Sequence, residues 1–300
     1  MWIGSRQLEG ATCEEFHIDV DDGISLRVLR WTPIETVASK EETVVVIPGW
    51  GSVFIGWEPL LAAWVKRRPI IYIETREKGG THYNRKVRKS DFQMHKYGQD
   101  LLAVIEHFKL NPSKLDWFSA SMGSTIILDA YQSQILGARS SLMLAPNIQF
   151  NFPWWSKILI KLPLPIKSFE ALRFIAVKVV TGKVTEEGQK IRYQRTLMAQ
   201  DIRRLVYSAR INIDYEMNLE MGHVKFPIGL MTAKNDHLHG SEDVEKLGIA
   251  LPNGRIIEVL SNQHLHEAAS LRAPSTQGRV SCVTRLPHSM SLASCASFLE

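Results

Sequence analysis

Apolar residues are spaced along this chain in two different rhythms. Phe16 to Val20 and Ile24 to Trp31 alternate apolar with polar positions on either side of Asp21-Asp22-Gly23. That alternation predicts a β-hairpin, with Gly23 accepting the positive φ of the turn. Thr43 to Ile47 is instead an unbroken β-branched run, and Pro69 to Ile73 is another. Short runs of this kind predict strands buried on both faces, as in a parallel sheet under helices. Leu115 to Phe118, Ser141 to Pro146, Pro227 to Thr232 and Arg255 to Leu260 continue the series. Helical spacing separates them. Trp57, Leu60, Leu61 and Trp64 form one stripe. Leu101, Leu102, Ile105 and Phe108 form a second, which Asn111-Pro112 ends, and Thr125 to Tyr131 carries a third. Strands alternating with helices in this way predict an α/β fold with a mainly parallel sheet flanked by helices.

Residues 147–215 break the rhythm. Phe150, Phe152, Trp154, Trp155, Ile158, Leu159, Ile160, Leu162 and Leu164 are interleaved there with lysines and prolines. The pattern predicts a helical insertion, apolar on one side and basic on the other, placed before the strand at Pro227. The core is then 1–146 together with 216–269. Residues 270–300 are rich in Ser, Arg and small residues without helical periodicity, and read as an irregular tail foreign to that core.

Composition narrows the classes. With 45% hydrophobic and 22% charged residues the chain folds, and disorder or a fibrous repeat is excluded as a global description. A net charge of +5 is too small to argue for nucleic acid. The excess is concentrated, however. Residues 66–96 hold ten Lys and Arg against three Asp and Glu, and residues 151–215 hold twelve against five. The first stretch reads as a solvated loop face; together, the two leave open peripheral contact with an anionic membrane surface. Cys13, Cys282 and Cys295 show no metal or disulfide spacing. No apolar stretch is long enough to span a bilayer, and the first ten residues lack a signal-peptide core, so the expected location is cytoplasmic.

The chemistry centres on Ser119-Ala120-Ser121-Met122-Gly123, set between a buried strand and a helix. A nucleophile on so tight a turn needs very small residues two positions to either side, or side chains collide. Gly123 meets that need and Ser119 nearly does. The plainer alternative makes Ser121 a helix N-cap.

These residues, with Ile47-Pro48-Gly49-Trp50-Gly51 and two later loops, resemble the α/β-hydrolase family over roughly residues 14–268. Ser119 stands where the family pattern has glycine, and Pro48 where it usually has histidine. The family's order of nucleophile, acid and histidine implies Asp236 in Ala233-Lys234-Asn235-Asp236-His237 as the acid. It implies His264 in Ser-Asn-Gln-His-Leu-His-Glu as the base, with His266 the second choice. Asp236 could otherwise be a turn cap. The backbone N–H groups of Trp50 and Met122 would form the oxyanion hole. The resemblance implies two-step acyl transfer from esters, with no metal or organic cofactor. The 147–215 insertion would be the cap, with Trp154, Trp155 and Leu159 lining a pocket for an apolar acyl chain.

Other classes share parts of this pattern. A thioesterase, an acyltransferase or a cofactor-free haloperoxidase would use the same triad, and a non-catalytic binding protein the same fold. His237/His239 and His264/His266, with Asp236, have the spacing of metal ligands, but a metallohydrolase would leave the Ser121 turn without a purpose.

Overall fold

The computed structural model describes residues 4–34, 43–152, 154–182, 187–233 and 241–259. The hairpin forms where the alternation places it. Strands β1 (Ala11–Asp21) and β2 (Ile24–Pro33) run antiparallel, with Ile18 opposite Leu26. Gly23 turns between them at φ 66°.

The β-branched runs become the middle of a sheet. β3 (Thr43–Ile47), β4 (Ile70–Ile73), β6 (Leu115–Ala120), β7 (Ser140–Leu144), β8 (Ile228–Ala233) and β9 (Gly254–Val259) are parallel to one another. The sheet order is β1-β2-β4-β3-β6-β7-β8-β9, and β5 (His82–Tyr83) adds a short pairing to β2. Successive side chains on a strand point to opposite faces. Val45, Ile47, Ile71, Ile73 and Trp117 therefore join one core with Leu101 and Val104 of α2 (Met94–His107) and Ile127 of α3 (Met122–Gln132). Val44, Val46, Ile70, Tyr72 and Phe118 join a second core with Leu60 and Leu61 of α1 (Glu58–Trp64). Two-sided burial is why these strands lack alternation.

Element ends depart from the pattern for local reasons. α2 starts at Met94, before the stripe that begins at Leu101, because Met94 and Tyr97 are already buried beside His95 and Lys96. β6 runs on through Ser119 and Ala120, both buried, and α3 begins at Met122 instead of Thr125. β7 stops at Leu144, short of Pro146, which has no N–H for a ladder.

The stretch after β4 corrects the sequence reading. It was expected to be a solvated polar loop, and Lys86, Arg88 and Lys89 are exposed as that requires, yet Glu74, Thr75, Arg76, Glu77, Lys78 and Thr81 are all buried. Arg76 explains part of this: its guanidinium binds Asp100 of α2 through two bonds, at 2.5 and 2.6 Å, and donates to the Asp91 carbonyl at 3.0 Å. A buried charge is tolerated when every donor has such a partner.

Among the described residues four helices lie between β7 and β8: α4 (Trp154–Lys161), α5 (Ile166–Gly182), α6 (Glu187–Ala199) and α7 (Ile202–Asn212). Their segment leaves and returns at one place. Gln149 pairs with Glu216, and the Met217 N–H donates to the Ile148 carbonyl at 3.0 Å. α8 (Ser241–Ala250) follows β8 and packs Val244 and Leu247 into the first core.

Candidate active site

Ser121 is the only residue between the end of β6 and the start of α3, and it turns the chain at φ 48°, ψ −121°. A non-glycine residue in such a conformation stores on the order of 1–3 kcal/mol of strain, which surrounding bonds must hold. They do so from both sides. The Ser121 N–H donates to the Leu144 carbonyl at 2.7 Å, and its own carbonyl accepts from the Ser124 and Thr125 N–H groups at 2.9 and 3.1 Å. Although Ser121 occupies the N-cap position, its side chain caps no backbone N–H of α3. The plain N-cap reading therefore fails.

The small neighbours are needed for the reason expected. A Cβ on Gly123 would lie 2.4 Å from the Ile47 carbonyl oxygen and 2.8 Å from that of Pro48. Ser119 is tolerated because its hydroxyl has a buried partner, Ser124 Oγ at 3.0 Å. Met122 is the first residue of α3, where a helix leaves its N–H groups without intrahelical acceptors and its dipole favours negative charge.

Pro48-Gly49-Trp50-Gly51 follows β3 and packs on this turn. A Cβ added to Gly49 would sit 3.4 Å from Ser121 Cβ, and Gly51 takes φ 59°. Beneath the loop lies the pair Glu77–Lys78, with both side chains 0% exposed. Lys78 Nζ donates to the Gly49 carbonyl at 2.9 Å, and Glu77 Oε1 accepts from the Gly51 N–H at 3.2 Å. Burial pushes the Glu77 carboxyl up, but the Lys78 ammonium and the hydrogen bonds outweigh it and hold it below its usual range. From the bend between α6 and α7, Gln200 donates to the Gly51 carbonyl and accepts from the Gly79 N–H, at 2.8 and 2.7 Å. Ser208 of α7 accepts from the Trp50 indole at 2.8 Å.

No protein-family model matches the sequence, and no curated protein does. Solved structures match the fold. An esterase from Exiguobacterium antarcticum aligns with a TM-score of 0.65 at 14% identity, over 81% of this chain and 89% of its own. An enol-lactonase from Burkholderia xenovorans LB400 gives 0.64 at 13%, over 81% and 91%. A thermophilic esterase from Thermogutta terrifontis gives 0.64 at 12%, over 83% and 90%. This chain has the α/β-hydrolase fold.

The α/β-hydrolase sheet sends Ser121 and the Gly49 loop out from the C-terminal ends of β6 and β3. β8 and β9 are parallel to those strands, so the chain leaves all four at one edge, where ligands of open α/β sheets bind. Asp236, His264 and His266, and the metal alternative's His237 and His239, lie outside the described residues. Among the described residues no group of three His, Cys, Asp or Glu side chains gathers as a metal site requires.

The Met122 thioether is buried and accepts from the Asn212 amide of α7 at 3.3 Å. Trp50 is half-buried. Of the pocket candidates, Trp155 and Leu159 are half-buried, whereas Trp154 is 76% exposed.

Asn147 escaped sequence reasoning. Its Nδ2 stands 3.3 Å from Ser121 Oγ, and Thr125 Oγ1 steadies it by donating to its carbonyl at 2.9 Å. The available signal was its place just beyond the end of a buried strand, after Pro146. Glu77, Lys78 and Gln200 escaped too, and they carried no local signal.

Proposed function

We propose that this α/β-hydrolase is a serine hydrolase of carboxylic esters, acting through Ser121, His264 and Asp236. The observation that carries the reading is the Ser121 turn: a strained residue whose side chain caps no backbone N–H of α3, held from both flanks at the start of a helix. In the reaction Ser121 Oγ attacks the ester carbonyl and passes its proton to His264, whose tautomer Asp236 holds. The new Oγ–carbon bond forms as the carbonyl oxygen takes the negative charge. That charge rests on the Trp50 and Met122 N–H groups. The intermediate then expels the alcohol, which leaves with the proton from His264. Water, deprotonated by the same histidine, cleaves the acyl-enzyme.

The esterase and lactonase matches support this chemistry as a class, since a lactone is a cyclic ester. The ends of 147–215 meet at Gln149 and Glu216, and Gln200 and Ser208 reach the Gly49 loop. These contacts support a cap role for α4–α7, with Trp155 and Leu159 facing an apolar acyl chain. Thioesterase and acyltransferase chemistry would proceed through the same acyl-enzyme.

Contact with an anionic membrane belongs to the same proposal. Among the described residues no helix is long and apolar enough to cross a membrane. α4 nevertheless exposes Trp154 and Ile158, and Leu162 just past its end is exposed too, the three spaced four residues apart and next to Lys157 and Lys161. Sedimentation with phosphatidylserine vesicles, lost in Trp154→Ala/Ile158→Ala, checks this part.

The deciding experiment is fluorophosphonate labelling. Wild type is expected to react and Ser121→Ala to remain unlabelled. Equal labelling of both, or of neither while folded, overturns the serine-hydrolase reading.

A further inference from the structure

Burying two ions side by side is expensive, and a buried pair is by itself weak support for stability. The Glu77–Lys78 pair spends its hydrogen bonds in an unusual place. Lys78 Nζ has three donors and uses them on the Gly49 carbonyl at 2.9 Å, Thr75 Oγ1 at 2.9 Å and Glu77 Oε1 at 2.8 Å. Glu77 Oε1 also accepts from the Thr75 hydroxyl at 2.8 Å and the Gly51 N–H at 3.2 Å, while Tyr97 donates to Oε2 at 3.3 Å. Two successive peptide groups of one short loop are therefore held by one buried pair. Lys78 takes the carbonyl end of Gly49–Trp50, and Glu77 takes the N–H end of Trp50–Gly51.

The geometry of a planar trans peptide gives this a consequence. Carbonyl and N–H point to opposite sides of the plane. A carbonyl of Gly49 held toward Lys78, and shared with the Ser52 N–H at 3.1 Å, turns the Trp50 N–H away from the pair. An ammonium on the carbonyl also polarises the peptide, so the N–H at its other end donates more strongly.

We propose that Lys78, with Glu77 as its counter-ion, is a positioning residue for the oxyanion hole, orienting and polarising the Gly49–Trp50 peptide. The proposal rests on the serine-hydrolase reading above. It assigns Lys78 a role in turnover, beyond packing, without contact to substrate. Thr75 and Tyr97 complete the hydrogen bonds that let both charges stay buried.

The test compares wild type, Lys78→Met and the double variant Glu77→Gln/Lys78→Met, which leaves no unpaired ion. p-Nitrophenyl acetate reads turnover. A trifluoromethyl ketone reads the hole, because its serine adduct puts an oxyanion there. Deleting an oxyanion donor outright costs about 10²–10³ in kcat, so a donor left in place but misaimed is expected to cost about 10–100-fold. KM should stay within about twofold, since substrate binding is not what is lost. Inhibitor affinity and fluorophosphonate labelling rate should fall by the same factor as kcat, at a temperature where the double variant is fully folded. A folded double variant with wild-type kcat and inhibitor affinity overturns the proposal. So does a double variant that cannot fold, which makes the pair purely structural. Absence of fluorophosphonate labelling in the wild type would instead bring down the serine-hydrolase reading itself.

Discussion

Residues 66–96 and 151–215 have the same excess of positive charge on paper, yet the fold treats them in opposite ways. In the first, Arg76 is 1% exposed and Lys78 0%, each closed around a carboxylate. In the second, α4 leaves apolar side chains outside, Trp154 at 76% exposure and Ile158 at 55%. The difference is one of position in the topology. Within the first stretch, Glu74 to Thr81 leaves the end of β4 and passes between β2, α2 and the Gly49 loop, so Arg76 and Lys78 are enclosed and must pair, while Lys66, Arg67, Lys86, Arg88 and Lys89 stay exposed. The second joins β7 to β8 by four helices, of which α7 buries Leu205, Val206 and Ala209. Composition measures how much charge a segment has. Enclosure decides whether that charge becomes structure.

The comparison is most exposed to failure at its aromatic residues. Phe92 is 0% exposed and belongs to the first core, so Phe92→Ala is expected to cost about 3–5 kcal/mol in urea denaturation. Trp154→Ala, removing a larger ring from the surface of α4, should stay within about 0.5 kcal/mol. Similar losses for both would mean that the insertion is as tightly packed as the core. A comparable cost, on the order of 3–5 kcal/mol, is expected for Arg76→Met, which leaves Asp100 buried and without its bidentate partner. If Arg76→Met melts like wild type, enclosure is not what makes this charge structural.

A smaller effect is expected from pH. Burial raises the Asp21 carboxyl, but the Asp22 N–H, Lys96 and Arg76 lower it more, to about 2. A carboxyl depressed on folding stabilises the protein above its unfolded value and loses that contribution as pH falls toward the folded one. Urea midpoints should therefore drop between about pH 4 and pH 2, with a shallower drop in Asp21→Asn. The smallest change belongs to Lys167→Ala, an exposed position on α5, which is expected to stay within about 0.5 kcal/mol. A loss beyond that would show that the Lys167 side chain has a structural role its exposure does not predict.

Much of this was legible from neighbouring residues. β3 runs over Thr43–Ile47, as its β-branched run predicts, and the hairpin turns at Gly23. The Ser121 turn was legible because small residues flank a serine between a strand and a helix within five positions, although the backbone that Gly123 must clear, at Ile47 and Pro48, comes from β3 and the loop after it. Element ends were less so, because Met94 and Ser119 owe their burial to other elements. The support of the site was not legible at all. Lys78 and Gly49 are 29 positions apart, and Gln200 and Gly51 are 149 apart. Asn147 reaches Ser121 across 26.

The amino-acid sequence by itself determined the long strands, their two-sided burial and the place of the candidate nucleophile, since these follow from periodicity and from small residues grouped between a strand and a helix. Only the tertiary structure decided which charges are enclosed. Whether Glu77-Lys78 is a solvated dipeptide or a buried clamp depends on what the sheet brings around it, and desolvation is a property of that surrounding, absent from the dipeptide.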